Sequence, residues 1–455
     1  MKPKTAWLPA LRKLLGGKKV SAEADVLAAH ASDAWLATHL PDAVVFARST
    51  EDVSKLLRFA SRRCIPVTAR GSGRGFVGGC VPAKGGIVLS LARMNQIKEI
   101  SVEDGVAVVQ PGVITARLQE EARKRGLFYP PDPASLKESS IGGNIATNAG
   151  GPRCLKYGVT RNYVLGLEVV LANGEIVRLG GRTIKNKAGF DLVSLFVGSE
   201  GMLGIVTEAT LRLLPHPPAR AALAATFRNA TDAARAVLAV QQAGLLPSAM
   251  EVADAFTLQS ARAYGCDIPS GDALLLLEMD GQPQAIRAER NAAARALEQC
   301  HALKIIPAEG HQQCERLWNM RRAFSESLKA TGLKKLNEDV VVPRGKLTAL
   351  FAWAEKARKQ TGIPIACFGH AGDGNIHVNI MVSREDKKSL RLQDELFRRV
   401  IAWNGAITGE HGIGLAKKRW WPQAASPSLR RLHQKMKKAL DPLDILNPGK
   451  FLSLS

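Results

Sequence analysis

Aromatic residues are scarce in this chain of 455, at 5% of the total. Few platforms therefore exist for unstacked bases, and nucleic acid is a poor candidate partner despite the abundant basic residues. Long apolar runs are absent as well. None approaches the roughly 20 residues needed to span a bilayer, and the opening MKPKTAWLPALRKLLGG has no signal-like apolar stretch with a cleavage site. The expectation is a cytoplasmic protein, or one held peripherally on the inner membrane face. Paired cysteines are missing too. Cys64, Cys80, Cys154, Cys266, Cys300, Cys314 and Cys367 are odd in number and widely spaced, with no C-x-x-C. That pattern speaks against a disulfide framework, a zinc ribbon and an iron-sulfur cluster. Any electrons the chain handles must leave through another group.

Acidic residues are outnumbered, 41 against 63 Lys and Arg, for a formal net charge of +22. Such basicity suits an anionic membrane or an acidic partner, and equally describes a solvated basic surface. With 46% apolar and 23% charged residues the composition is globular. The length suggests two to four domains, ample for a large core.

From residue 41 to 91 strands and a helix alternate. AVVFAR reads as a strand, STEDVSKLLRFASRRC as an amphipathic helix capped by Ser49 or Thr50, and IPVTAR and IVLSL as further strands. Between the last two lies GSGRGFVGGCVPAKGG, a glycine-rich loop that fails the G-x-G-x-x-G spacing. A second block has short strands, a hairpin signal at Asn173-Gly174, and glycine-rich stretches at 141–152 and 198–207. The proline-rich LLPHPPAR, residues 213–220, marks a boundary. Ala-rich helices and strands follow. The expected organisation is an N-terminal helical segment at 1–40, a cofactor domain at 41–218, an α+β substrate domain at 219–410, and a basic helical segment at 411–455.

Three glycine-rich loops, each expected after a strand, would aim many unhindered N–H groups at one polyanionic ligand, such as a dinucleotide. RGSGRGFVGG, YPPDPAS, SSIGGNIATNAGG and GSEGMLGIVTE resemble the FAD domain of the vanillyl-alcohol-oxidase-type flavoproteins. The later GHAGDGNIH, GEHGIG and DPLDILNPGK narrow the resemblance to its D-2-hydroxyacid dehydrogenase branch. That branch includes glycolate oxidase flavin subunits, D-lactate dehydrogenases and D-2-hydroxyglutarate dehydrogenases.

The resemblance implies an α+β fold with a two-part FAD domain, a substrate domain, and a C-terminal segment returning to the FAD domain. It implies that Gly71, Ser72, Gly73, Arg74 and Gly75 hold the FAD pyrophosphate. Gly78, Pro131, Gly142, Gly143, Ala146, Thr147 and Gly150 would line the cofactor further in, with Gly204, Ile205, Val206 and Asn447 toward the flavin. Arg74 stands where relatives carry a small hydroxyl residue; its charge either adds a pyrophosphate contact or points to solvent. No His occupies the loop around Cys80, so non-covalent FAD is expected.

IPIACFGHAGDGNIHVNIMV reads as strand, tight turn and strand, so His370 and His377 can approach across a hairpin, with Asn379 on the face of His377. Glu410 offers the carboxylate that would complete a His2Glu site, suited to zinc and also to manganese or iron. The resemblance implies the same ligands, with His411 as base and Asn379 near the substrate. It also implies that Arg321 clamps the substrate carboxylate. Arg322 is its rival, and a helical pattern turns only one of them inward. Asn337 stands nearest the place of the lysine found in relatives that act on dicarboxylates, and Lys335 is its substitute. A monocarboxylate such as lactate or glycolate is thus favoured.

The expected chemistry is FAD-dependent oxidation of a D-2-hydroxy acid, with electrons passed to a quinone, a cytochrome, an electron-transfer flavoprotein or an iron-sulfur subunit. The competing expectations are a metal-free flavin alcohol oxidase and a non-catalytic basic interaction protein. A basic aromatic cluster, Lys417 to Trp421 with Arg430, Arg431, Lys435, Lys437 and Lys438, is expected to face a membrane, an acidic partner or solvent.

Overall fold

The computed structural model describes residues 5–35 and 37–452. Two compact units divide the chain. One comprises Met1–Gly150, Val159–His216 and Glu410–Ser455, the other Gly151–Gly158 and Pro217–Gly409. Among the described residues no helix is long and apolar enough to cross a membrane.

The first unit opens with the alternation legible in the sequence. Ser49 caps the helix Thr50–Ser61 by accepting from the Asp52 N–H, and Glu51 and Asp52 in its first turn oppose the positive end of the helix dipole. Its inward face buries Val53, Leu56, Leu57 and Ala60. Three parallel strands, Ala43–Phe46, Ile87–Ser90 and Val67–Arg70, lie side by side with Val20–Ser21 antiparallel at one edge. A five-stranded antiparallel sheet follows, ordered Ile97–Ser101, Val106–Val109, Ile205–Arg212, Val164–Val170 and Ile176–Gly180. The last two strands form the expected hairpin. Gly174 sits there at φ +82°, and a Cβ would lie 2.2 Å from Arg58 Cγ, so both the turn and the packing demand glycine.

One core joins Val45, Leu57 and Leu89 of the first sheet region to Val170 and Ile205 of the second, and Ile445 and Leu446 enter it from the far end of the chain. The Val67 N–H donates to the Ile445 carbonyl at 2.7 Å, and the Asn447 N–H donates back to Val67 at 2.8 Å. The C-terminal segment thus completes the first unit.

The second unit is built on a seven-stranded sheet with antiparallel pairing throughout. Its order is Lys304–Glu309, Ala219–Phe227, Ala273–Gly281, Ala249–Ala253, Ile365–His370, Asn375–Val382 and Lys334–Val341. Alanines of Ala219–Phe227 lie opposite leucines of Ala273–Gly281, and this small-against-large pairing leaves room for Trp318 and Phe324 of the helix Gly310–Ala330. Gly151–Gly158 belongs to this unit through ion pairing: Lys156 Nζ lies 2.5 Å from Asp280 Oδ1, and the Tyr157 hydroxyl donates to Asp280 Oδ2 at 2.8 Å.

Three local expectations need correction. The stretch 141–152 opens not as a loop but as the helix Ile141–Thr147, because Ser140 caps it and Ile141 and Ile145 bury one face. The stretch 198–207 follows the short helix Leu192–Phe196 rather than a strand. In the basic aromatic cluster, Lys417, Trp420 and Lys437 are buried, so that cluster is no uniform surface.

Candidate active site

In the first unit a cleft opens between the glycine-rich segment after the strand Val67–Arg70 and the helix Ile141–Thr147. Gly71, Ser72, Gly73, Arg74, Gly75, Gly142, Gly143, Ala146 and Thr147 line it, together with Phe76, Cys80, Glu200, Glu410 and His411. Close approach explains the glycines. A Cβ on Gly71 would fall 2.3 Å from Ser140 Oγ, and one on Gly142 would fall 2.6 Å from Pro111 Cβ. The backbone N–H groups from Ser72 to Phe76 donate to nothing within the described chain. A run of unpaired N–H groups in a concave, glycine-rich turn is a ready receptor for phosphate oxygens.

Arg74 lines this cleft and also pairs with Glu138 at 2.6 Å, both side chains being about half exposed. Burial pushes the Cys80 thiol up from its ordinary value, and Arg70 donates to its sulfur at 3.2 Å.

Seven candidates do not line the cleft. Gly78 donates its N–H to Asp33 Oδ2, and the Pro131 carbonyl accepts from Gln119. Gly150 is buried at the end of the first unit's opening segment. Gly204 packs where a Cβ would meet Val169 and Phe196, and Ile205 and Val206 begin a strand paired with Val170 and Val169. Asn447 ties two loops together by donating to the Gly79 and Glu200 carbonyls, both at 2.8 Å.

His411 stacks beside Phe76 with ring centroids 5.0 Å apart, and its Nε2 lies 3.8 Å from Glu410 Oε1. The loop that carries both is set by Glu200, a buried residue that accepts from the Ile413 and Gly414 N–H groups at 2.8 and 2.9 Å. Burial raises the Glu200 pKa, opposed by those two bonds.

In the second unit the expected hairpin is present, Ile365–His370 and Asn375–Val382, with His370 opposite Asn375 and His377 opposite Phe368. The His370 and His377 ring centroids are 5.6 Å apart, and both residues are buried. Glu251, on the neighbouring strand and opposite His370, takes His370 Nδ1 at 2.6 Å with one oxygen and Arg321 Nε at 2.5 Å with the other. Burial pushes the Glu251 carboxyl up, but its interactions with His370 and Arg321 override that and hold it at about 2. Arg321 is the inward member of its pair, 13% exposed, whereas Arg322 is 55% exposed and bound to Glu315.

Asn379 is fully buried. It donates to the Ala366 and His377 carbonyls, while its Oδ1 has no hydrogen-bond partner. Lys335 Nζ meets Ser325 Oγ at 3.0 Å, and burial lowers its pKa.

The division between units falls in the peptide bond that joins Gly409 to Glu410. Asp339 takes the Thr408 hydroxyl at 3.0 Å and the Gly409 N–H at 2.9 Å, which fixes the end of the second unit to its sheet.

Two family models match the chain. "FAD binding domain" covers residues 41–180, and "FAD linked oxidases, C-terminal domain" covers residues 216–451. The chain is 40% identical over 420 residues to the glycolate oxidase subunit GlcD of Bacillus subtilis, covering 91% of this chain and 89% of that protein. The chain belongs to the FAD-linked oxidases. This FAD-linked oxidase is also 35% identical over 424 residues to a D-lactate dehydrogenase of Anaerostipes hadrus, covering 90% and 89% of the two chains. Its fold matches that of p-cresol methylhydroxylase at a TM-score of 0.79 and 20% identity, over 99% of this chain and 98% of that one. It is a flavoprotein oxidoreductase whose fold is of the vanillyl-alcohol-oxidase type.

The residues of this FAD-linked oxidase fit the cofactor, since unpaired N–H groups and a glycine-permitted close approach meet in one cleft. In the second unit the His370–His377 pair likewise offers two imidazole donors that suit a borderline divalent cation. Three residues that position the site were missed from sequence: Glu251, Glu200 and Asp339. Only the first leaves a trace, as a single acid inside the otherwise apolar strand Ala249–Ala253.

Proposed function

We propose that this FAD-linked oxidase converts a D-2-hydroxy acid, with lactate or glycolate favoured, to its 2-oxo acid. FAD supplies the hydride acceptor and a divalent cation, zinc or alternatively manganese or iron, supplies Lewis acidity toward the substrate hydroxyl. His370, His377 and Glu410 would hold that cation. Glu251 engages His370 Nδ1 and so leaves Nε2 as the ligand atom, a carboxylate–histidine arrangement that also fixes the ring. Arg321, its Nε committed to Glu251, keeps its remaining N–H groups for the substrate carboxylate. His411 takes the hydroxyl proton, with Asn379 beside the substrate and Lys335 toward its far end.

The observation that carries the reading is the buried His370–His377 pair, backed by Glu251 and Arg321 within the second unit, together with His411 lining the cofactor cleft of the first. Non-covalent FAD is supported by the raised Cys80 pKa, which disfavours the thiolate needed for a thioether link. Gly78, Pro131, Gly150, Gly204, Ile205, Val206 and Asn447 act behind the lining residues. All seven cysteines are free thiols, so electrons go to an external quinone, cytochrome, electron-transfer flavoprotein or iron-sulfur subunit.

The test is anaerobic flavin bleaching with D-lactate, L-lactate, glycolate and 2-hydroxyglutarate. Rapid bleaching by D-lactate or glycolate is expected. Bleaching by none of the four, or bleaching unaffected by a metal chelator, would defeat the proposal.

A further inference from the structure

The helix Pro427–Leu440 is built inside out. Its one buried residue is Lys437, whose side chain has no exposure at all. Leu429, Leu432 and Met436, at positions i, i+3 and i+7, are 42%, 57% and 36% exposed. A surface helix ordinarily turns such a stripe onto the core. Here the buried ammonium does the anchoring: it lies 2.5 Å from Asp441 Oδ2 and donates to the Leu446 and Met202 carbonyls at 2.8 and 3.0 Å. Asp444 lies 3.2 Å away. The helix is pinned by charge, and its apolar stripe is left facing outward.

Arg431, Lys435 and Lys438 are exposed beside that stripe, and no acidic residue occurs from Pro427 to Leu440. Past the end of the helix Leu443 is exposed as well, at 50%. The rest of the basic cluster points elsewhere. Lys417 is buried, Lys418 donates to the Gly449 carbonyl, and Arg419 stacks on Trp420.

We infer that this helix face docks on an anionic lipid surface. Leu429, Leu432, Met436 and Leu443 enter the headgroup and acyl boundary, while Arg431, Lys435 and Lys438 reach lipid phosphates. A patch of one charge sign beside an aliphatic stripe matches such a surface in both respects. Protein hot spots lean instead on Trp, Tyr and Arg set in pockets, and the stripe holds only Leu and Met. The inference stands independently of the substrate, and it would place the flavin enzyme beside acceptors dissolved in the bilayer.

Sedimentation of the FAD-loaded full chain with phosphatidylcholine vesicles, with and without phosphatidylglycerol, tests it. Binding at least roughly tenfold stronger to the anionic vesicles is expected, weakening with salt. The double substitution Leu429→Gln with Leu432→Gln should abolish most of the binding, and so should Arg431→Gln with Lys435→Gln, both with flavin content and turnover unchanged. Equal or absent binding to the two vesicle types by the unaltered enzyme would overturn the inference without any variant. Full vesicle binding by the leucine variant would overturn it too, as would retention on an acidic protein without vesicle binding.

Discussion

The cofactor cleft and the histidine cluster are assembled by opposite means. The cleft presents backbone, with N–H groups from Ser72 to Phe76 open and glycines placed where a Cβ would strike Ser140 or Pro111. The cluster presents ionisable side chains, and Glu251 alone serves both His370 and Arg321. Backbone recognition tolerates changes of side chain but not the addition of one. A buried charge network tolerates neither loss nor neutralisation of a member, because the partner left behind is then unpaired in a medium that cannot solvate it.

The largest test of this contrast is at His411. Replacing it with Ala should slow anaerobic flavin reduction by about 10²–10⁴-fold while leaving the bound-flavin absorbance intact; a matching loss of flavin would mean that the two sites are not separable in this way. Next comes Glu251→Gln, which should cost about 10–100-fold in metal affinity or reduction rate. Metal analysis and stopped-flow traces would check it, and unchanged metal content together with an unchanged rate would remove Glu251 from the site. Gly142→Ala addresses the other side of the contrast: overpacking against Pro111 should destabilise by about 1–3 kcal/mol and lower flavin occupancy with the metal retained, as read by urea denaturation and absorbance.

The smallest effects lie in the pH dependence of stability. Burial raises Asp254 in the second unit from 3.8 to about 6, so the native state holds a proton that the unfolded chain releases, and stability falls as pH rises through that window. Burial lowers Lys450 in the first unit from 10.5 to about 8. There the unfolded chain binds the extra proton, so stability rises with pH between those values. Denaturation midpoints across both windows would show slopes of opposite sign, and Lys450→Met should flatten only the alkaline one.

Local signals with a fixed spacing were legible in the sequence. Ser49 ahead of an apolar periodicity, Asn173-Gly174 between two strands, and the turn between His370 and His377 each specify geometry within a few residues. What stayed hidden acts across long separations or against local propensity. Glu251 meets His370 119 positions away, and Glu200 meets Ile413 213 positions away, so neither acid carries a motif. The glycines of Ile141–Thr147 argue against a helix, and only the Ser140 cap and two buried isoleucines outweigh them. Lys437 reads as surface charge: Asp441 stands four positions on, but nothing nearby announces that a carbonyl from Met202, 235 positions away, will receive it as well.

The return of the C-terminal segment bears on how the molecule comes into being. Asn447 closes onto the Gly79 carbonyl across 368 positions, with the whole sheet of the second unit interposed. During synthesis the first unit lacks a core strand's neighbour until that late stretch emerges, by which time every strand of the second unit is already available to fold. Closure of so long a loop is slow. The nascent protein therefore passes through a stage with a finished sheet and an unfinished cofactor cleft, and a ribosome stalled before Ile445 would leave a chain able to gather its histidines but not to close around its flavin.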